Sequence, residues 1–448
     1  MVQTIRKYGN TINDRGRRNL FTTIYVLSVL SIIVAPLAGK GFIIVAALLF
    51  ACSLLSLPNI YSYSLLYGLF PFANIFKLSP ESMSFLTICE ILLLMKIVLE
   101  LWKKRNSIKC NIVLFLGGLF TVLHILLFSV QIDYLGIIKL IVRIVLVAYY
   151  FRTLGARERG MQSVKMIGYC FSISMLVMML LSQIGAYMDV VSGYLRIVQY
   201  DTNDSLIRNG GLLDDPNYCS LAIMVSLIFL TVLYYYKLVK LTYWFLVTPL
   251  FLLGFTTYSK SYLLTAAVFL IILLLLVLFP RYKGWATVLC IVIVIAVSAI
   301  YSGQIEIINR IFLRFDTAGI YTGRDELNTI YLEYIGSDMR VLFWGEGFDA
   351  STLPGVKNTV HNLYIEMLYK LGIIGSLFFV ITVLSCFPKI RSNNKLINYS
   401  PAIFIAVMYM ALAGMDSYGL FYYILLAGAA ILHIRDKNVF ENIDCAKG

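Results

Sequence analysis

The sequence predicts an all-α fold, a polytopic transmembrane bundle of about 14 spans with a partly helical outer loop near 303–360. Three observations carry that reading. The chain is 60% hydrophobic and only 14% charged over 448 residues, with a mean hydropathy of +0.83. Apolar runs of about 18–20 residues recur from Leu20 to the C-terminus, each long enough to cross a hydrocarbon core of roughly 30 Å. Lysine and arginine gather at every second boundary between runs, the pattern of a chain that weaves through a bilayer. A soluble all-α protein needs no such series, because only in lipid must every span satisfy its own backbone.

The spans are expected near 20–38, 41–57, 60–76, 82–101, 111–130, 134–151, 164–187, 216–236, 241–258, 261–280, 284–302, 361–387, 399–415 and 418–434. A basic segment precedes Leu20–Ala38 and no small-residue cleavage site follows, so this run reads as a first transmembrane helix and not as a removed signal peptide. The third span is the weakest. Pro71 and Asn74 interrupt it, and only Pro58-Asn59 separates it from the second. The basic segments RKYGNTINDRGRR, WKKRNSIK, FRTLGARERG, YKLVK, RYKG, FPKIRSNNK and HIRDK fall on one side. That side is cytoplasmic by the positive-inside rule, with both termini inside. The net charge of +13 is then topology and attraction to anionic lipid, and no nucleic-acid partner follows from it.

The chain reads as a single integral-membrane domain with two long outer segments, 188–215 and 303–360. Both are net acidic: the first has 2 Arg against 5 Asp, the second 5 basic against 8 acidic residues. Arginines kept outside, against the topological bias, need a reason, although a surface ion pair would supply one. Eight cysteines avoid both loops and three histidines are widely separated, so neither a disulfide framework nor a metal site is expected. No phosphate-binding glycine loop precedes a helix, which excludes ATP hydrolysis by this chain. No cofactor is expected.

In the first loop, RNGGLLDDPNYCSLA reads as a turn entering a helix. Asp215 is a natural N-cap with Pro216 at the first helical position. Arg208, beside Gly210-Gly211, has no such capping role. A guanidinium next to flexible backbone and a helix N-terminus suits a phosphate, since both donate to oxyanions. Arg196 is a second candidate. Lys260, in TTYSKSYLLT, either snorkels at the boundary or lines the same outer cavity.

The second loop shows QIEIINRIFLRF, with Glu306, Arg310 and Arg314 on one face and Ile308, Ile311, Phe312 and Phe315 opposed. TGRDELNTIYLEYIG follows, with Thr322 and Asp325 in capping-box order and an apolar stripe of Leu327, Ile330, Tyr331 and Tyr334. Such a helix is expected at the interface with its apolar side down, placing Arg324 near lipid phosphates. His361-Asn362 opens the twelfth span. His361 is either a base near neutral pH or a helix-boundary residue bonded to backbone. Glu366 and Lys370, one turn apart, either orient it or pair with each other.

These motifs, RNGGLLDDPNYCSLA, TYSKS, GRDELNTIYL…LFWGEGFDA and HNLYIEMLYKLGIIG, resemble the bacterial O-antigen polymerase/O-antigen ligase superfamily, integral-membrane glycosyltransferases of the GT-C type. The resemblance covers roughly Arg208 to Gly375, and the His361-x10-Gly372 spacing is like that of the ligases. Two departures stand out: Lys260 sits where relatives often carry Arg, and Arg324 is followed by Arg340 where some polymerases have glycine.

The resemblance implies a donor oligosaccharide on undecaprenyl pyrophosphate, at the outer face of the bacterial cytoplasmic membrane. Arg208, Arg324 and Lys260 are then cations for the leaving pyrophosphate, and His361 the base. The catalytic candidates are His361, Arg324 and Arg208; Arg196, Asp215, Asn217, Lys260, Asn362 and Glu366 are candidates for holding substrate. If the acceptor is another lipid-linked repeat unit the enzyme is a polymerase, with a flippase and a chain-length regulator as partners; if lipid A-core, a ligase. Spans and loop length lean to the polymerase. A flippase or transporter is the alternative class, and Glu90, His124 and Arg143 near span centres are its candidate set. The two halves show no repeat, and a Glu90–Arg143 pair that locks the bundle is the simpler account.

Overall fold

The structure is a computed structural model. It describes residues 2–77, 84–103, 134–150, 160–194, 208–213, 215–235, 241–259, 324–347 and 362–386, with short pieces between 119 and 128, between 262 and 270, and at 352, 353, 356 and 360. All regular elements among the described residues are helical. Three of those helices are long and apolar enough to cross a membrane: Gly16–Ala38, Lys165–Ser182 and Leu363–Ile381. Shorter apolar helices cover Gly41–Leu54, Pro216–Thr231 and Thr242–Phe255. The spans expected near 284–302, 399–415 and 418–434 lie outside the described residues, as does the helical pattern at 304–315.

α1 (Val2–Ala38) and α2 (Gly41–Ser56) form a hairpin. Phe21, Ile24, Tyr25, Ser28, Ile32 and Ala35 recur at helical spacing and are buried, whereas Leu27, Leu30 and Leu37 are exposed. An apolar face left open is what lipid requires, since hydrocarbon solvates leucine as well as protein does.

α3 (Asn59–Gly68) is the innermost helix of this half, with all but Ile60 buried. It stops at Gly68, and a 3₁₀ turn over Phe70–Phe72 follows. Pro71 accounts for the stop, because it removes a donor and its ring clashes with the preceding turn. The third span is therefore a short helix completed by turns. Tyr63 Oη donates to Leu146 O at 2.8 Å, and Tyr25 Oη donates to Cys170 O at 2.8 Å, tying α3 and α1 to their neighbours.

α4 (Phe85–Lys103) and α5 (Tyr134–Tyr149) are joined by the ion pair foreseen in the sequence. Arg143 Nε lies 3.0 and 3.1 Å from the two carboxylate oxygens of buried Glu90. α6 (Gly160–Ser182) and α7 (Gly185–Tyr194) divide the expected seventh span at Gln183-Ile184. α8 (Pro216–Tyr235) is apolar all round, and every residue from Cys219 to Leu230 is buried, as expected of a central helix. α9 (Leu241–Phe255) packs on α8 and ends in the turn that builds the site.

α10 (Arg324–Ser337), α11 (Met339–Trp344) and α12 (Leu363–Cys386) form a second packed unit. Tyr331, Ile335, Val341, Leu353, Val360, Ile365 and Tyr369 make its core. The apolar stripe of α10 is thus covered largely by the chain itself. Tyr331 is buried, and Ile330 alone of the four expected stripe residues is exposed. Two glycines explain the docking. α12 is broken at Gly372 (φ 63°, ψ −175°), a backbone region open essentially to glycine alone. The turn after α11 enters this break: Glu346 N–H donates to Tyr369 O at 2.8 Å and Gly347 N–H to Lys370 O at 3.1 Å. A Cβ on Gly372 or on Gly345 (φ 79°) would run into the facing backbone. His124 Nε2 donates to Trp344 O at 2.6 Å, and Phe128 stacks on Trp344, so the short helical pieces between 119 and 128 also hold this junction. The structure gives His124 this docking contact.

Candidate functional site

The expected site residues that fall within the described structure form two groups. In the first, the segment 208–217 meets the end of α9. Asp215 caps α8: its Oδ1 accepts from Asn217 N at 2.6 Å and Tyr218 N at 3.3 Å. Sequence alone foresaw that cap, and its carboxylate is committed to the helix N-terminus.

Arg208 is buried at 7% exposure, an uncommon position for a guanidinium. Its Nε donates to Thr257 O at 3.3 Å, and Nη2 donates to Asn217 Oδ1 at 3.1 Å. Ser259 Oγ donates to the same Asn217 oxygen at 2.9 Å. Asn209 fixes the loop below: its N–H reaches Thr256 O at 3.2 Å, its Nδ2 reaches Ser182 Oγ at 2.9 Å, and its Oδ1 accepts from Gly211 N at 2.8 Å. Asn74, the residue that spoiled the third span, donates to Leu212 O at 3.0 Å. Tyr258 stands between the two site contributors of the α9 turn at φ 46°, a left-handed value uncommon for a residue with a side chain.

Arg208, Asp215 and Asn217 are thus brought together. Arg196 and Lys260 lie outside the described residues. Sequence reasoning missed Asn74, Asn209, Thr257 and Ser259. The signal available for the last two was their position beside Lys260 in the hydroxyl-rich stretch TTYSKS.

In the second group, Asn362 Oδ1 accepts from Tyr364 N at 3.1 Å, capping α12. Glu366 and Lys370 are both buried and pair with each other at 2.9 Å. His361 and the Arg324 side chain lie outside the described residues, although Arg324 is the first residue of α10. Glu346 Oε1 accepts from Tyr334 Oη at 2.7 Å and Arg340 Nη2 at 3.0 Å. The bond to Glu346 raises the Tyr334 pKa above its usual value, with desolvation adding to the shift.

Residues 244–380 match the O-antigen ligase family. The match covers less than a third of the chain, and over that stretch the sequence is similar to the O-antigen ligase family. That finding supports the O-antigen ligase/polymerase superfamily resemblance read from the motifs. No curated protein matches the chain. The matched segment runs from within α9 to within α12. It contains Thr257, Ser259, Glu346, Asn362, Glu366 and Gly372, while Arg208, Asp215 and Asn217 precede it. The Arg208–Thr257 and Ser259–Asn217 bonds therefore join the earlier loop to the matched segment, and bring together two stretches far apart in sequence.

Proposed function

We propose that this protein transfers a glycan from a lipid pyrophosphate at the outer face of the bacterial cytoplasmic membrane. The observation that carries the reading is the buried Arg208 guanidinium, held by Asn217 and Thr257 at the N-terminus of α8 and bonded to the segment that matches the O-antigen ligase family. A positioned guanidinium in a water-poor site stabilises charge developing on phosphate oxygens. Arg324, Lys260 and Arg196 are the further cations of the proposal, and Asn362 and Glu366 belong to the acceptor side.

In the reaction the anomeric C–O bond to pyrophosphate breaks, and its electron pair leaves with the pyrophosphate. The acceptor hydroxyl oxygen bonds to the anomeric carbon, and its proton passes to His361. With about 14 spans and a moderate outer loop, the acceptor we favour is a second lipid-linked repeat unit, which makes the protein a polysaccharide polymerase assisted by a flippase and a chain-length regulator.

The test is glycan transfer by the purified chain, without any ion gradient, from repeat units on undecaprenyl pyrophosphate. Lengthened lipid-linked glycan supports the polymerase, and transfer only onto lipid A-core reassigns it as a ligase. Translocation without transfer overturns the enzyme reading. His361→Ala is expected to lower turnover by about 10²–10⁴ while donor binding persists. Full activity in that variant removes His361 as the base.

A further inference from the structure

The lipid-pyrophosphate reading leaves open how the candidate site tells an oxyanion from other ligands, and the amide of Asn217 supplies an answer that rests on that reading. Its Oδ1 accepts twice, from Arg208 at 3.1 Å and from Ser259 at 2.9 Å. A guanidinium has only N–H groups to offer, so it is the oxygen of the amide, and not its nitrogen, that must face Arg208. The backbone of Asn217 is occupied as well: its N–H donates to Asp215 and its carbonyl accepts from Ser220 Oγ at 2.8 Å. Only the side-chain NH₂ remains. Among the described residues nothing accepts from it, and Asn217 is only half-buried.

Two N–H donors of fixed direction therefore stand beside a buried guanidinium, at the first turn of α8. The backbone N–H groups of Asn217 and Tyr218 at that turn are taken by Asp215 Oδ1, so it is the amide, beside the guanidinium, that has N–H groups to offer an oxyanion. The left-handed Tyr258 lies between Thr257, which anchors Arg208, and Ser259, which anchors Asn217. Backbone held in such a conformation is typical of positions where geometry is being enforced.

We propose that Asn217 donates its amide N–H to a phosphate oxygen of the lipid pyrophosphate, and that Ser259 is the positioning residue that locks the amide for this task. Phosphate chemistry also occurs on anionic phospholipid headgroups, so the test separates the two sources.

Asn217→Asp is nearly isosteric. The carboxylate still accepts from Arg208 and Ser259, but it has no N–H to give and it repels an oxyanion. The full chain is placed in nanodiscs of phosphatidylcholine, with or without phosphatidylglycerol, and farnesyl pyrophosphate binding is measured by calorimetry beside the thermal midpoint. The expected result is a midpoint at or above that of the parent chain, with affinity lowered about tenfold to a hundredfold in both disc types. Ser259→Ala is expected to lose about threefold to tenfold.

A folded Asn217→Asp that binds farnesyl pyrophosphate like the parent chain overturns the donor role and leaves the glycosyl-transfer reading intact. A loss seen only where phosphatidylglycerol is present overturns it in favour of a headgroup site. If the parent chain binds no farnesyl pyrophosphate, the reading beneath the inference falls with it. Should Asn217→Asp not fold, Ser259→Ala decides, and unchanged affinity there overturns the proposal.

Discussion

At the scale of single residues, the buried Arg208 guanidinium is what ties the two loops of the candidate site together. Arg208 donates to the Thr257 carbonyl and the Asn217 amide, and both require its planar fork. Arg208→Lys keeps the charge but has one compact ammonium to reach two acceptors on different segments. The expected outcome is folded protein whose affinity for a lipid-pyrophosphate donor falls about tenfold or more, measured by donor binding at matched expression. Unchanged affinity would take Arg208 out of the site. The sequence exposed part of this arrangement. Asp215 followed by Pro216 announces a capped helix through local chemistry alone, and Arg208 was conspicuous as an outer arginine without a capping task. Its partner Thr257 is 49 residues away along the chain. No local pattern encodes that bond, because it depends on which loops meet when α8 and α9 pack.

At the scale of elements, helix boundaries followed hydropathy closely wherever a span was long and uniform, as in α2, α8 and α9. The departures occur where backbone chemistry outweighed hydropathy. Pro71 ended α3 early, and Gln183-Ile184 split the seventh span into α6 and α7. The break in α12 was the least legible, since Gly372 lies at the start of an apolar stretch just after Lys370 and gives no periodic signal. It becomes intelligible only with its partner, the Gly345-Glu346-Gly347 turn, whose N–H groups reach the carbonyls next to the break. Gly372→Ala is expected to cost about 1–3 kcal/mol from the backbone conformation alone. The added Cβ would also meet the backbone of Phe343 and Trp344, so the α11 turn must move. Limited proteolysis between Asp338 and Gly347 should become faster in this variant, with the α1–α9 half unaffected. Protection equal to the parent chain would show that the turn docks by other means.

At the scale of the whole molecule, two features bear on assembly: one ion pair and the sorting of polar groups between the two ends. Glu90 and Arg143 connect α4 to α5 through a carboxylate that is almost wholly buried. Such a pair contributes little net stability, yet breaking it strands a charge at a cost of about 3–5 kcal/mol. Arg143→Ala should therefore reduce the amount of folded protein in the membrane, judged by detergent-resistant monodisperse material, while leaving activity per folded molecule near that of the parent. Normal folding with abolished activity would move Arg143 into the working site and revive the transport reading.

The sorting of polar groups supplies the last prediction. Lys96 donates to Leu57 O at 2.6 Å and Asn59 to Glu100 at 3.1 Å, and these segments belong to the boundaries read as cytoplasmic. Asn74 with Leu212, Asn209 with Ser182 and Thr256, and Arg208 with Thr257 all connect segments read as outer. An alternating topology demands this grouping, since a wrong count of crossings between two of these segments would place hydrogen-bonding partners on opposite sides of the bilayer. The contacts fix which segments share an end, and the distribution of Lys and Arg assigns the sign. Residues 303–360 should then be extracytoplasmic, and the loops at 102–110, 152–163 and 388–398 cytoplasmic. Asp349→Cys tests the first statement with an impermeant maleimide on intact spheroplasts, the unsubstituted chain serving as background for the native thiols. Labelling before permeabilisation is the expected result, and a cysteine placed at Ser107 should label only afterwards. If Asp349→Cys reacts only after permeabilisation, the Arg208 end of the bundle faces the cytoplasm, and an outward-facing lipid-pyrophosphate donor has no access to it.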